Sequence, residues 1–214
     1  MKLDWSQIDT VLLDMDGVLL DLHYDNHFWQ HHVLQVYANK HGMPYDEVKT
    51  QFAPIFKAHA GTLNWYCVDF WSEQFGIDIM QHKAETAEKI GFRPTAETFL
   101  QTCQRQVNDL RLITNGHRKV LELKIEKTRL DQYFQEMICS HELGAAKESQ
   151  IFWQQLHRSK GFDPDRTLFI DDSESVLDSA QRYGIGHLYS IAKPDSQKDR
   201  ATISKFSMLD VLPS

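Results

Sequence analysis

Residues 11–18, Val11-Leu12-Leu13-Asp14-Met15-Asp16-Gly17-Val18, are an apolar run that ends in two acids and a glycine. Leu12 and Leu13 are adjacent, so the strand they predict must bury both faces, as strands of parallel sheets do. Asp14 and Asp16 then stand at its carboxyl end, where open α/β sheets hold their ligands. Two carboxylates one residue apart suit a hard cation such as Mg2+ and leave one acid for chemistry. Gly17 permits a tight turn against a ligand.

Downstream of this stretch the pattern changes to helices rich in aromatics. Asp25 is placed to cap the first, in which Trp29, Val33, Val36 and Tyr37 recur at helical spacing before Gly42. Pro44 opens a second, with Val48, Phe52, Ile55 and Phe56 on one face and Pro54 expected to kink or break it. A third runs from Leu63 to Phe75 and stops at Gly76; a fourth runs from Asp78 towards Gly91. Four helices without a strand predict a small inserted domain over 23–91.

Alternation of strand and helix resumes after Pro94. A helix is expected over 95–106, then strands at Leu110–Thr114, Met137–Cys139, Thr167–Ile170 and His187–Ile191. The helices between them include one from Glu148 to Ser159 that turns Ile151, Phe152 and Leu156 inward, and one that ends near Gly184. Helical crossovers between strands imply a parallel sheet, so the fold class is α/β with a core made of residues 1–22 and 92–214. The polar tail from Pro194 is expected to wrap the surface.

In such a sheet all strand ends of one polarity share an edge. Asp14 and Asp16, Thr114 and Asn115, Lys147 in the loop after the third strand, and the pair Asp171 and Asp172 therefore converge there. The set holds what phosphoryl transfer needs. A carboxylate nucleophile splits hydrolysis into two easier steps, and a second carboxyl group moves the proton. A carboxylate-bound Mg2+ neutralises charge, while a lysine and a hydroxyl hold phosphoryl oxygens.

These motifs, Asp14-Met15-Asp16-Gly17, Thr114, Lys147 and Asp171-Asp172, resemble in order and spacing those of the haloacid dehalogenase (HAD) superfamily phosphatases. The insertion resembles the helical cap of the C1-type subgroup. The resemblance implies a Rossmann-like sheet of order 3-2-1-4-5 with a four-helix cap. It implies Asp14 as nucleophile and metal ligand, and Asp16 as general acid/base that also binds Mg2+ through its main-chain carbonyl. Asp172 would bind the metal directly, and Asp171 directly or through water. Thr114, Asn115 and Lys147 would hold the substrate phosphoryl group. Val18 departs from the Thr common at that position, with little effect expected. The segments DMDGVLLDL (14–22), DNHFW (25–29), LNWYCVDFWSEQFGIDI (63–79), TLFIDDSE (167–174) and KPDS (193–196) further resemble the bacterial GMP/IMP nucleotidases of this superfamily. That implies a purine nucleoside monophosphate as substrate, with Asn26, Asn64, Trp65 and Tyr66 as candidates to read the base.

The rest of the sequence narrows the alternatives. A formal net charge of -7 over 214 residues argues against a nucleic-acid polymer as partner. No apolar stretch is long enough to span a membrane and no signal peptide is read at Met1-Lys2, so a cytoplasmic location is expected. Three scattered cysteines, Cys67, Cys103 and Cys139, fit a reducing compartment. A sugar-phosphate phosphatase or phosphomutase would use the same core residues. A phosphonatase would add a cap lysine, for which Lys40, Lys49, Lys57, Lys83 and Lys89 are available. A phosphate-accepting signalling module would carry its acidic pair after the first strand and its nucleophile after the third, an order absent here. The sequence leaves the oligomeric state open. His117, after the second motif, is expected exposed at a helix start.

Overall fold

The computed structural model describes residues 3–199 and 204–213. Met1 and Lys2, at which no signal peptide was expected, and the tail residues 200–203 and 214 lie outside them. Among the described residues six parallel strands form one sheet: β1 (Thr10–Leu13), β2 (Asp109–Thr114), β3 (Glu136–Cys139), β4 (Thr167–Asp171), β5 (His187–Ile191) and β6 (Ser207–Leu209), in the order β3-β2-β1-β4-β5-β6. β1 is central, with Leu13 opposite Leu112 of β2 and Ile170 of β4. Leu12 and Leu13 point to opposite faces. Leu13 joins a core with Phe99, Leu100 and Leu121; Leu12 joins one with Phe152, Trp153, Phe169 and Leu177.

The expected order of five strands holds, and the tail extends it. Instead of only wrapping the surface, the chain adds β6 beside β5 and buries Leu209 and Leu212 in the first core. Thr95, at φ +65, donates from Oγ1 to the Leu212 carbonyl at 2.9 Å and fastens this end.

Helices fill residues 23–89. α1 (His23–His27) continues through a π-helical turn (Phe28–His32) into α2 (Val33–His41), which ends on Gly42 in the left-handed conformation. α3 (Tyr45–His59), α4 (Leu63–Tyr66), α5 (Val68–Phe75) and α6 (Ile79–Glu85) follow. Their shared core is aromatic, with the Phe52 and Phe75 rings stacked at 4.1 Å and Trp71 packed on Phe56. The chain enters and leaves this layer on adjacent segments joined by an isolated bridge between Leu20 and Phe92, Asp21 N–H donating to the Gly91 carbonyl and Arg93 N–H to that of Leu19.

Three expectations fail locally. Asp25 does not cap a helix: α1 starts two residues earlier, after Leu22, and the Asp25 carboxylate meets two lysines instead. Pro54 does not break α3. Thr50, whose carbonyl loses its donor, is exposed and can bond water, while Val48 and Phe52 on the opposite face are buried. Packing outweighs a helix-interior proline cost of about 3 kcal/mol. The third predicted helix is split at Cys67, whose extended backbone interrupts α4–α5 and whose Sγ accepts from Phe70 N–H.

The remaining helices, α7 (Ala96–Gln106), α8 (Arg118–Thr128), α9 (Gln150–Lys160) and α10 (Glu174–Tyr183), flank the sheet. In α9, Phe152, Trp153 and Leu156 face inward; Ile151, expected with them, is 55% exposed. Ser149 caps α9 through Ile151 N–H, which sets this helix's phase. Among the described residues no helix is long and apolar enough to cross a membrane.

Candidate active site

The loop after β1 folds back on itself: Leu19 and Leu20 N–H both donate to the Met15 carbonyl, and Gly17 N–H to that of Leu20. Gly17 has φ +79, and a Cβ there would lie 2.7 Å from the Asp172 carboxyl carbon. Only glycine brings this loop against the end of β4. Asp14 and Asp171 thus sit side by side at the sheet edge, joined by Lys147, which no strand supplies. Its ammonium donates to Asp14 Oδ1 at 2.5 Å, Asp171 Oδ2 at 2.7 Å and the Ile113 carbonyl at 3.1 Å. Asn115 fixes the Lys147 loop, Oδ1 accepting from Lys147 N–H at 2.9 Å and Nδ2 donating to Glu148 Oε2 at 3.0 Å. Thr114 is buried, and its Oγ1 accepts from Gly116 N–H at 2.9 Å.

Oxygens of Asp14, Asp171 and Asp172 all lie within 4.8 Å of one another. With Lys147 counted, three carboxylates and one ammonium leave an excess of two negative charges. The electrostatics register it. Burial, then the charges of Asp171 and Asp14, push the Asp172 carboxyl well above its usual range. Burial pushes Asp14 up to about 7, although the Lys147 ammonium opposes the shift. The two carboxylates outweigh the desolvation of Lys147 and hold it protonated. A compact all-oxygen cluster with surplus negative charge is a donor set that fits a hard divalent cation.

The Asp16 carboxylate departs from this cluster. Its Oδ1 accepts from Lys124 Nζ at 2.6 Å, and Lys124 also donates to Asp25 Oδ2 at 2.6 Å. Lys83, from α6, completes the chain at 2.8 Å from Asp25 Oδ1, with its ammonium 4.5 Å from the Phe28 ring centroid. Both lysines are buried. Burial pushes Asp25 up, but the two lysines outweigh it and hold the carboxyl well below its usual range. Burial raises Asp16 to about 6 against the pull of Lys124. Lys124 is a site residue that sequence reading does not single out, while Asp25 is expected there only as a helix cap and Lys83 only as one of five cap lysines. The signal for Lys124 was present: it follows Val120 and Leu121 on the buried face of α8, a place where lysine is rarely found without a partner.

A cavity of about 570 Å3 opens above these groups. Its floor is Asp14, Asp16, Thr114, Asn115, Lys147, Asp171 and Asp172, so every residue expected at the sheet edge lines one space. Its roof is aromatic, with Trp29, Phe56, Trp65, Tyr66 and Trp71 from the helical layer. Of the candidates to read a base, Asn26, Trp65 and Tyr66 face the cavity; Asn64 does not line it. Asn26 donates to Asp195 at 2.7 Å. Tyr66 O–H donates to Glu148 Oε1 at 2.7 Å, tying roof to floor beside Lys147. His117 caps α8, as its position suggested, but it is half-buried and also lines the cavity.

Residues 11–189 match the haloacid dehalogenase-like hydrolase family. The chain is 38% identical over 196 residues to the GMP/IMP nucleotidase YrfG of Escherichia coli K12 and to that of Shigella flexneri, covering 92% of this chain and 88% of each relative. Among solved structures, an HAD phosphatase from Thermococcus onnurineus superposes with a TM-score of 0.76 at 20% identity, over 96% of this chain and 94% of that one. A variant of an HAD-family enzyme from Bacteroides thetaiotaomicron, in complex with magnesium and inorganic phosphate, gives 0.62 at 18% identity, over 91% and 97%.

Proposed function

From the chain's membership of the haloacid dehalogenase-like hydrolase family, which its match over residues 11–189 establishes, we propose a Mg2+-dependent purine 5′-nucleotidase that works through an aspartyl-phosphate on Asp14. The broader activity, a phosphoric monoester hydrolase, comes with the family and its nucleotidase relatives. The finer reading rests on one observation above others: the 38% identity to GMP/IMP nucleotidases extends over 92% of the chain and so includes the aromatic roof. Aromatic faces stack on bases at about 1–3 kcal/mol each, and Trp65 and Tyr66 line the same cavity as the residues read here as holding the phosphoryl group.

In this reading Lys147 and the Thr114 hydroxyl hold phosphoryl oxygens while Asp14 attacks phosphorus. The P–O bond to the nucleoside breaks as an Oδ–P bond forms, and Asp16 gives its proton to the departing oxygen. Water then attacks the aspartyl-phosphate. Its proton passes to Asp16, the Oδ–P bond breaks, and inorganic phosphate leaves. Asp14, Asp171, Asp172 and the Asp16 carbonyl would hold Mg2+, which supplies charge neutralisation at the phosphoryl oxygens. The aromatic layer acts as a lid that excludes water during the first step. The small phosphate ester would be met in the cytoplasm, where the unpaired Cys67, Cys103 and Cys139 remain reduced.

Phosphate release over a panel of nucleoside monophosphates and sugar phosphates, with Mg2+ and with EDTA, tests this. GMP and IMP are expected to lead in kcat/KM, and EDTA to abolish turnover. A sugar phosphate at the head of the panel would overturn the nucleotidase reading, and undiminished turnover in EDTA the metal.

Lys124 acts as a positioning residue. It holds Asp16 Oδ1, while Oδ2 lies towards Gly116 at the end of β2. Lys124→Met is expected to cost about 1.5–3 kcal/mol of stability, since Asp25 keeps Lys83 but Asp16 loses a charged hydrogen bond. kcat should fall, by no more than the roughly 10²–10⁴-fold that general acid–base assistance as a whole contributes, with KM little changed. Urea melts and steady-state kinetics read the two effects separately. A rise in KM at constant kcat would place Lys124 in substrate binding instead.

A further inference from the structure

Away from the cavity, three side chains from two elements of the helical layer converge on one point. His32, from the π-helical turn, and His82, from α6, direct ring nitrogens at the same oxygen of Glu85. His32 Nε2 lies 3.3 Å and His82 Nδ1 2.9 Å from Glu85 Oε2, and one ligand atom of each residue falls within 4.8 Å of the others. His82 and Glu85 are one turn apart on α6, so they share a face. Donors around a tetrahedral Zn2+ at bond lengths near 2.05 Å are roughly 3.3 Å apart, close to the two His–Glu spacings found here. Both imidazoles are half-buried and Glu85 is exposed, so a fourth position would open to water.

We propose that His32, His82 and Glu85 form a second metal site, for a borderline transition-metal dication of the Zn2+ type. Two imidazoles select such ions over Mg2+, which prefers an all-oxygen set like that of Asp14, Asp171 and Asp172. The π-turn has a role in this, because π-turns inserted in helices recur at functional positions. Here it separates neighbours: His31 joins a line of histidines, His23, His27 and His31, with ring centroids 6.0 Å apart at each step, while His32 meets α6. The metal would cross-link α6 to the helical run from 23 to 41. These two elements carry Lys83 and Asp25, so the cross-link braces the ion pair behind Asp16.

The test uses the full, untagged chain with Mg2+ in excess to occupy oxygen ligands, titrated with Co2+ as the optical probe. One equivalent should bind with the strong visible d–d bands of a four-coordinate ion, and Zn2+ should displace it. Loss of an outer-sphere partner alone costs about 10–100-fold in affinity, so His82→Ala and Glu85→Gln, each removing a ligand, should weaken binding by at least roughly 100-fold. Zn2+ should also raise Tm in the wild type and not in Glu85→Gln. A His27→Ala/His31→Ala double variant should behave as the wild type. Absence of a saturable four-coordinate spectrum in the wild type overturns the site. So does a spectrum that survives His82→Ala and Glu85→Gln, or one lost equally in the double variant, which would assign the ion to the line of His23, His27 and His31.

Discussion

Asp14→Asn is expected to lower kcat for phosphate release by about 10⁴-fold or more, the scale on which hydrolases lose turnover when a covalent nucleophile is removed. That corresponds to about 5.5 kcal/mol of transition-state stabilisation. The protein should not weaken with it. Asn keeps the volume of Asp while removing one charge from a buried cluster that holds three carboxylates against the one Lys147 ammonium. Burial lifts the Asp14 pKa to about 7 in the folded chain, above the ordinary value of 3.8. A raised carboxyl favours folding while it is protonated, so its contribution is complete below pH 3.8 and is lost as pH rises through about 7. In EDTA, the wild-type Tm should therefore fall more steeply between about pH 4 and 7, the window those two values bound, than that of Asp14→Asn. Thermal melts across pH beside single-turnover phosphate assays separate chemistry from folding. Turnover within tenfold of wild type would exclude Asp14 as nucleophile.

What could be read in advance follows physical scale. The run Val11–Leu13 announces a buried strand through three consecutive side chains, and parallel topology then carries Asp14, Thr114 and Asp171 to one edge without knowledge of any contact. β6 escaped notice because it is three residues long and Met208 in it is 38% exposed, so neither periodicity nor continuous burial marks it. Asp25 was read by its local chemistry, as acids often cap helices. Its true partners, Lys83 and Lys124, lie 58 and 99 residues away. Pro54 and Cys67 misled in opposite directions for one reason. Helix propensity is a matter of a few kcal/mol at most, and the aromatic packing around Phe52, Phe75 and Trp71 decides where the helices run.

Lys147→Met should produce two losses that respond differently to Mg2+. Lys147 is 2% exposed and donates to three oxygens, two of them carboxylate. Removing its charge leaves Asp14 and Asp171 without the ammonium that joins them, beside the third carboxylate, Asp172. Breaking a buried ion pair from one side costs about 3–5 kcal/mol. For a chain of this length that lowers Tm by roughly 6–20 °C in EDTA, at about 2–4 °C per kcal/mol. A divalent cation bound to the carboxylates would relieve the same imbalance, so Mg2+ should raise the variant's Tm by more than it raises that of the wild type. Catalysis should not recover with it. A lysine that meets charge developing on a phosphoryl oxygen is worth about 10²–10³-fold in kcat, as other preorganised donors are, and a thioether donates nothing. If saturating Mg2+ restores both Tm and kcat, Lys147 is only a charge balance for the carboxylates. If it restores Tm while kcat stays down, the ammonium that joins Asp14 to Asp171 also acts on the substrate.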